Sequence, residues 1–127
     1  MKSSTTIGKK TILLVDDEVA LLAFLTELLK IKGYNVITAL NGKQAVEIYK
    51  ANADGIDLVL MDINMPILNG IDAAEELKHF DPNAAILIMS GHSRDANDRL
   101  KIPHFIEKPL HPSELFKTIE DVLEESG

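Results

Sequence analysis

Asp16-Asp17, Asp62, Ser90 and Lys108 each stand at the end of a short apolar run, and their side chains are of the kinds that handle hard cations and phosphate. Carboxylates brought together repel one another. At an effective dielectric of about 20, two of them about 4 Å apart cost about 4 kcal/mol, so three demand a cation or the protonation of one member. A site built only of oxygens, with water in the remaining positions, suits Mg²⁺. Zinc would want histidine or cysteine ligands, and none accompanies these residues. A cation and Lys108 together make such a pocket hospitable to a phosphoryl group. A carboxylate can itself be the nucleophile and form an acyl phosphate. Asp62, flanked by the others, is the natural acceptor; Ser90 can hydrogen-bond a phosphoryl oxygen, and Gly91 leaves the group room to enter.

These residues converge only if a parallel sheet brings its strand ends to one edge. Asp57 to Asp62 encloses four apolar residues between two aspartates, which reads as a short strand buried on both faces. Pro66 and Asn69-Gly70 then turn the chain, placing Asp62 at the lip of a loop outside the core. Thr11 to Val15, Tyr34 to Ala39, Ala84 to Met89 and Phe105 to Glu107 are the other strands. Helices are expected over Glu18 to Lys32 with an acid-rich first turn, over Lys43 to Ala51 after the Asn41-Gly42 turn, over Ile71 to His79, and from Pro112 onward. Gly33 takes the position after the first helix, where a left-handed residue is cheap. That helix is apolar almost all round, which favours cover on two sides over a surface awaiting a partner. Ser93 to Leu100 reads as a short or irregular helix stopped by Pro103. Strands alternating with helices predict an α/β fold: a doubly wound, five-stranded parallel sheet with helices on both faces.

The chain has 127 residues, enough for one domain with a real core. Without cysteine there is no disulfide framework and no thiolate metal site. Acids outnumber bases 20 to 13, for a net charge of -7, and the longest basic cluster is Lys9-Lys10. Direct nucleic-acid binding is therefore not expected. No apolar run is long enough to span a membrane and Met1 to Lys10 lacks a signal-peptide core, which together imply the cytoplasm. The expected domain core runs from about Lys10 to Glu124, with residues 1–9 and 125–127 flexible.

Val15-Asp16-Asp17-Glu18, Asp62-Ile63-Asn64-Met65-Pro66 with Gly70, Ser90-Gly91 and Lys108-Pro109 resemble, in order and spacing, the receiver domain of two-component response regulators. The resemblance implies the flavodoxin-like strand order 2-1-3-4-5. It implies that Asp62 is phosphorylated from a phosphohistidine on a sensor kinase or phosphotransfer domain. Asp17, Asp62 and the backbone carbonyl of Asn64 would bind Mg²⁺ directly, and Asp16 largely through water. Lys108 would pair with phosphoryl oxygens, and Ser90 would move toward them. Phe105 matches the aromatic switch position but lacks a phenol hydroxyl. Asn64 and His92 match the two positions that tune acyl-phosphate lifetime. The stretch from Ser90 to Lys108 is about one helical turn shorter than is usual in the family, and Ile102-Pro103-His104 replaces its small pair before the last strand. The implied activity is self-catalysed phosphorylation and slow dephosphorylation, not conventional turnover.

Each residue also has a plain reading. Asp16-Asp17 could simply favour a helix N-terminus, Ser90 could bond backbone, Phe105 could be core, and His79, His104 and His111 show no ligand spacing and read as solvated. Competing functions are a receiver-like docking module that is never phosphorylated, and a haloacid-dehalogenase-like phosphatase, whose Asp-x-Asp pattern the first strand does not match. Flavin or nucleotide binding lacks its Gly-rich loop. No output domain follows Gly127, leaving open a stand-alone adaptor or a receiver from a larger regulator or hybrid kinase.

Overall fold

Side chains alternate between the faces of each strand, and that period of two sorts the apolar residues into two separate layers. In a computed structural model, which describes residues 9–65, 67–91 and 104–126, the strands are β1 (Thr11–Val15), β2 (Asn35–Ala39), β3 (Leu58–Asp62), β4 (Ile86–Ser90) and β5 (Phe105–Glu107). They form one sheet in the order β2-β1-β3-β4-β5, and every neighbouring pair is parallel. The α-helices among the described residues are α1 (Val19–Ile31), α2 (Gly42–Asn52), α3 (Gly70–Phe80) and α4 (Pro112–Ser126). The expected class and strand order are both found.

Leu13, Val15, Val59, Met61, Ile86 and Ile88 pack toward α2 and α3. Their neighbours Ile12, Leu14, Leu58, Leu60, Leu87 and Met89 pack toward α1 and α4. All residues of β3 and β4 are buried, as strands covered on both faces require. The first of the two aspartates around β3 is architectural: Asp57 Oδ2 accepts the Thr11 N–H at 2.8 Å, tying the entry of β3 to that of β1.

Several local expectations are corrected. No acid lies in the first turn of α1, because Asp16 Oδ1 accepts the Glu18 N–H at 2.8 Å and this turn delays the helix to Val19. Among the described residues α1 is not covered on two sides. It docks through one stripe, Leu22, Leu25 and Leu29, and leaves Val19, Ile31 and Phe24 outside, the last 56% exposed. Phe24, Leu21, Leu28, Pro109 and Leu110 border a groove of about 220 Å³. At the other end of the chain α4 continues through Ser126, past the point where disorder was expected, and Glu125 meets His104 at 3.1 Å. His104 is accordingly half-buried and not solvated. Gly33 has a φ of 100°, the left-handed backbone expected after α1. The helix expected over Ser93 to Leu100 lies outside the described residues.

Candidate functional site

Asp62 closes β3, and α3 begins only eight residues later at Gly70. The Gly70 N–H reaches the Ile63 carbonyl at 2.8 Å. A Cβ at Gly70 would overlap the Asp62 carbonyl oxygen, so the helix can start this close to the acceptor strand only on a glycine. Asn69 caps α3, its side chain accepting the Asp72 N–H at 2.9 Å. The loop that leaves Asp62 is thus fixed at its far end.

Asp62 is only 4% exposed, which corrects the expectation of a position at the lip of a loop. Its strand is central, flanked by β1 and β4, and Lys108 lies directly against the carboxylate with Nζ 2.7 Å from Oδ1. Carboxylate oxygens of Asp16, Asp17 and Asp62 all lie within 4.8 Å of one another. Asp17 faces solvent, whereas Asp16 is 1% exposed. Its Oδ2 is buried with no hydrogen-bond partner among the described residues.

Burial pushes the Asp16 carboxyl above its ordinary range; the Glu18 N–H and Lys108 pull it down, and Asp62 and Asp17 push it further up. Burial lowers the Lys108 ammonium, but its hydrogen bond to Asp62 and the charges of Asp62, Asp16 and Glu18 prevail, so the net shift is upward and the group stays charged. An orphaned, buried carboxylate oxygen beside two further carboxylates fits a hard cation. The donors are all oxygens, as Mg²⁺ prefers.

Ser90 is buried at the end of β4, and its carbonyl accepts the Lys108 N–H at 2.9 Å. Phe105 is half-buried, opposite Ile88 in the β4–β5 register, and packs on the layer beneath α2 and α3. Asn64 is exposed on the β3–α3 loop. The fold therefore brings Asp16, Asp17, Asp62 and Lys108 into contact range, with Ser90 on the adjoining strand end; His92 lies outside the described residues. Sequence reasoning missed two features of this loop. Ile67 adopts a φ of 71°, and Gly42, read only as part of a turn, donates its N–H to the Leu68 carbonyl. The Asn-Gly pair hinted at tight backbone there, but nothing local named its partner.

The family model for the response regulator receiver domain matches residues 12–120. The chain is 42% identical over 83 residues to the autoinducer 1 sensor kinase/phosphatase LuxN of Vibrio harveyi, a match covering 65% of this chain. It spans only 10% of that relative's length. To the chemotaxis protein CheY of Thermotoga maritima it is 38% identical over 118 residues, covering 89% of this chain and 97% of the relative. A solved CheX-CheY-BeF3-Mg+2 complex from Borrelia burgdorferi superposes with a TM-score of 0.81 at 32% identity, covering 89% of this chain and 88% of that one.

Proposed function

Because the chain belongs to the response regulator receiver domain family, we propose that it is a phosphorylation-dependent signalling switch in which Asp62 accepts a phosphoryl group from a phosphohistidine. The donor is a sensor histidine kinase or a histidine phosphotransfer domain. The observation that carries this reading is the convergence of the Asp16, Asp17 and Asp62 carboxylates within 4.8 Å, against Lys108.

Lys108 holds Oδ1 of Asp62, so Oδ2 is the oxygen that attacks phosphorus. A P–O bond forms as the N–P bond breaks, and the electron pair returns to the imidazole nitrogen, which takes up a proton. Asp17, Asp62 and the Asn64 carbonyl would hold Mg²⁺, with Asp16 acting through water, and the cation supplies positive charge for the phosphoryl oxygens. Lys108 then faces an acyl phosphate instead of a carboxylate. The Ser90 hydroxyl donates to a phosphoryl oxygen, and Phe105 turns inward as Ser90 shifts. Phosphorylation replaces a singly charged carboxylate by an acyl phosphate of about two negative charges, a net gain of about one and a larger anion in the site, enough to bias two conformations that differ by a few kcal/mol. Slow hydrolysis, tuned at Asn64 and His92, resets the switch; an unchanged dephosphorylation rate in His92→Ala removes that residue from the account.

The working compartment is the cytoplasm, and this domain acts through protein partners, with no direct contact to nucleic acid or membrane. The presence of BeF3 and Mg+2 in the solved Borrelia burgdorferi CheY complex supports the phosphoryl and magnesium parts of the reading. Incubation with acetyl phosphate and Mg²⁺, followed by mass spectrometry, tests it. One phosphoryl group is expected on the native chain and none on Asp62→Asn. An unmodified native chain would leave only a docking module.

A further inference from the structure

The loop that leaves Asp62 is held from outside its own βα unit. Gly42, the first residue of α2, donates its N–H to the Leu68 carbonyl at 3.1 Å. A Cβ at this position would overlap that oxygen and crowd the Leu68 carbonyl carbon, so the contact is backbone on backbone and has no flexible group that could give way. One residue earlier, Ile67 has a φ of 71° and is 76% exposed. Left-handed backbone in a non-glycine residue is strained and persists only where the surroundings fix it. A β-branched residue is among the least suited to it, and an exposed side chain gains little packing to offset the cost. What fixes the loop is therefore its backbone: Gly70 N–H on the Ile63 carbonyl at one end and Gly42 N–H on the Leu68 carbonyl at the other. Asn64 lies between these two ties.

We propose that Gly42 is a positioning residue for the acceptor site. By lacking a side chain and donating to Leu68, it holds the β3–α3 loop, and with it the Asn64 carbonyl, where a Mg²⁺ ligand is required. The inference rests on the reading of Asn64 as a ligand given above. A carboxylate set can be complete while its cation is still held loosely, if the loop supplying the remaining oxygen can drift. Residues that orient ligands without touching the metal commonly change metal affinity about 10–100-fold.

Mg²⁺ titration followed by NMR separates the outcomes. Gly42→Ala is expected to raise the dissociation constant for Mg²⁺ about tenfold or more. Gly55→Ala, whose Cβ would meet nothing within 4 Å, is expected to leave it unchanged. Adding Ile67→Gly to Gly42→Ala frees the loop to follow a displaced Leu68 carbonyl and recovers part of the affinity, which a merely structural lesion would not do. A folded Gly42→Ala chain that binds Mg²⁺ like the native one overturns the proposal and leaves the phosphoacceptor reading standing; a native chain that ignores Mg²⁺ overturns both. Should Gly42→Ala fail to fold, the native protein still decides. By linkage, Mg²⁺ must slow hydrogen exchange at the Gly42 amide, and protection there that is the same with and without saturating Mg²⁺ rejects the proposal.

Discussion

Lys108 places its ammonium 2.7 Å from Asp62 Oδ1 while its own backbone N–H reaches the Ser90 carbonyl, so one residue ties the ends of β3 and β4 together. Asp62 is buried and Lys108 is about one-third exposed, which sets the pair between two regimes. A surface ion pair contributes about 0–1 kcal/mol, whereas breaking a buried one costs about 3–5. Lys108→Met keeps the aliphatic stem and removes the charge, and an intermediate loss of about 2 kcal/mol is expected in urea unfolding without divalent cation. Saturating Mg²⁺ should narrow the difference, because the variant leaves three carboxylates short of positive charge. Equal stabilisation of both chains by Mg²⁺ would count against a shared electrostatic site.

Asp16 gives the opposite sign. Its Oδ1 already serves the Glu18 N–H, while Oδ2 is buried without a partner next to the carboxylates of Asp17 and Asp62. Asp16→Asn retains the acceptor, removes a like charge and puts an amide donor where the orphan oxygen stood. Leaving a buried polar group unsatisfied costs about 1–3 kcal/mol. The variant should therefore be more stable than the native chain by about 1–2 kcal/mol in metal-free buffer. Its Mg²⁺ affinity should fall by at least tenfold, as seen by calorimetric titration. A gain in stability purchased with a loss of binding marks the carboxylate as functional, whereas a loss of both would make it structural.

The sheet was legible because its strands are continuous apolar runs punctuated by glycine, proline and asparagine, and those runs place Asp16, Asp62, Ser90 and Lys108 at one edge whatever the details of packing. Burial was less legible. Asp57 and Asp62 bracket the same strand and read alike, yet one ties two strand entries together and the other meets Lys108, a residue 46 positions further along. Apolar character on every side of α1 did not reveal which stripe would find a partner, since that depends on the position of α4. The Gly42 contact with Leu68 was invisible for the same reason: a side chain's absence carries no sign of the backbone that comes close to it.

Backbone conformation alone sets a third expectation. Ile67 holds a φ of 71° and its side chain is exposed, so little packing is lost on shortening it. Ile67→Gly removes a left-handed penalty of about 1–3 kcal/mol and adds about 0.5–1 kcal/mol of unfolded-state freedom. A net gain of about 1 kcal/mol should appear as a higher urea midpoint with an unchanged slope. Gly33→Ala is the converse, since a φ of 100° penalises any side chain even though a Cβ there would touch nothing within 4 Å. It should lower stability by about 1 kcal/mol or more. If both substitutions move stability in the same direction, conformational strain is not the controlling cost.

Alkaline pH should expose the far edge of the sheet. The Tyr49 hydroxyl donates to Asp81 Oδ2 at 2.7 Å. Burial, that hydrogen bond and the charge of Asp81 together push the phenol well above its ordinary value. Tyr34 is also raised, by burial first and by Glu120 second. A phenol whose folded pKa is raised keeps its proton where the unfolded chain has released it, so folding stability is full below about pH 10 and falls above it. Each such group contributes a slope of about 1.4 kcal/mol per pH unit until its folded value is reached. Tyr49→Phe forfeits a hydrogen bond to a charged acceptor, about 1.5–3 kcal/mol at neutral pH. In exchange it loses one group's share of the alkaline decline, so the native and variant curves should converge between about pH 10 and 12, the residual slope reflecting Tyr34 and Lys108. Urea unfolding at stepped pH, read alongside tyrosinate absorbance, measures both quantities. Parallel curves across that range would mean that Tyr49 ionises as readily folded as unfolded, and that the Asp81 contact does not hold its proton.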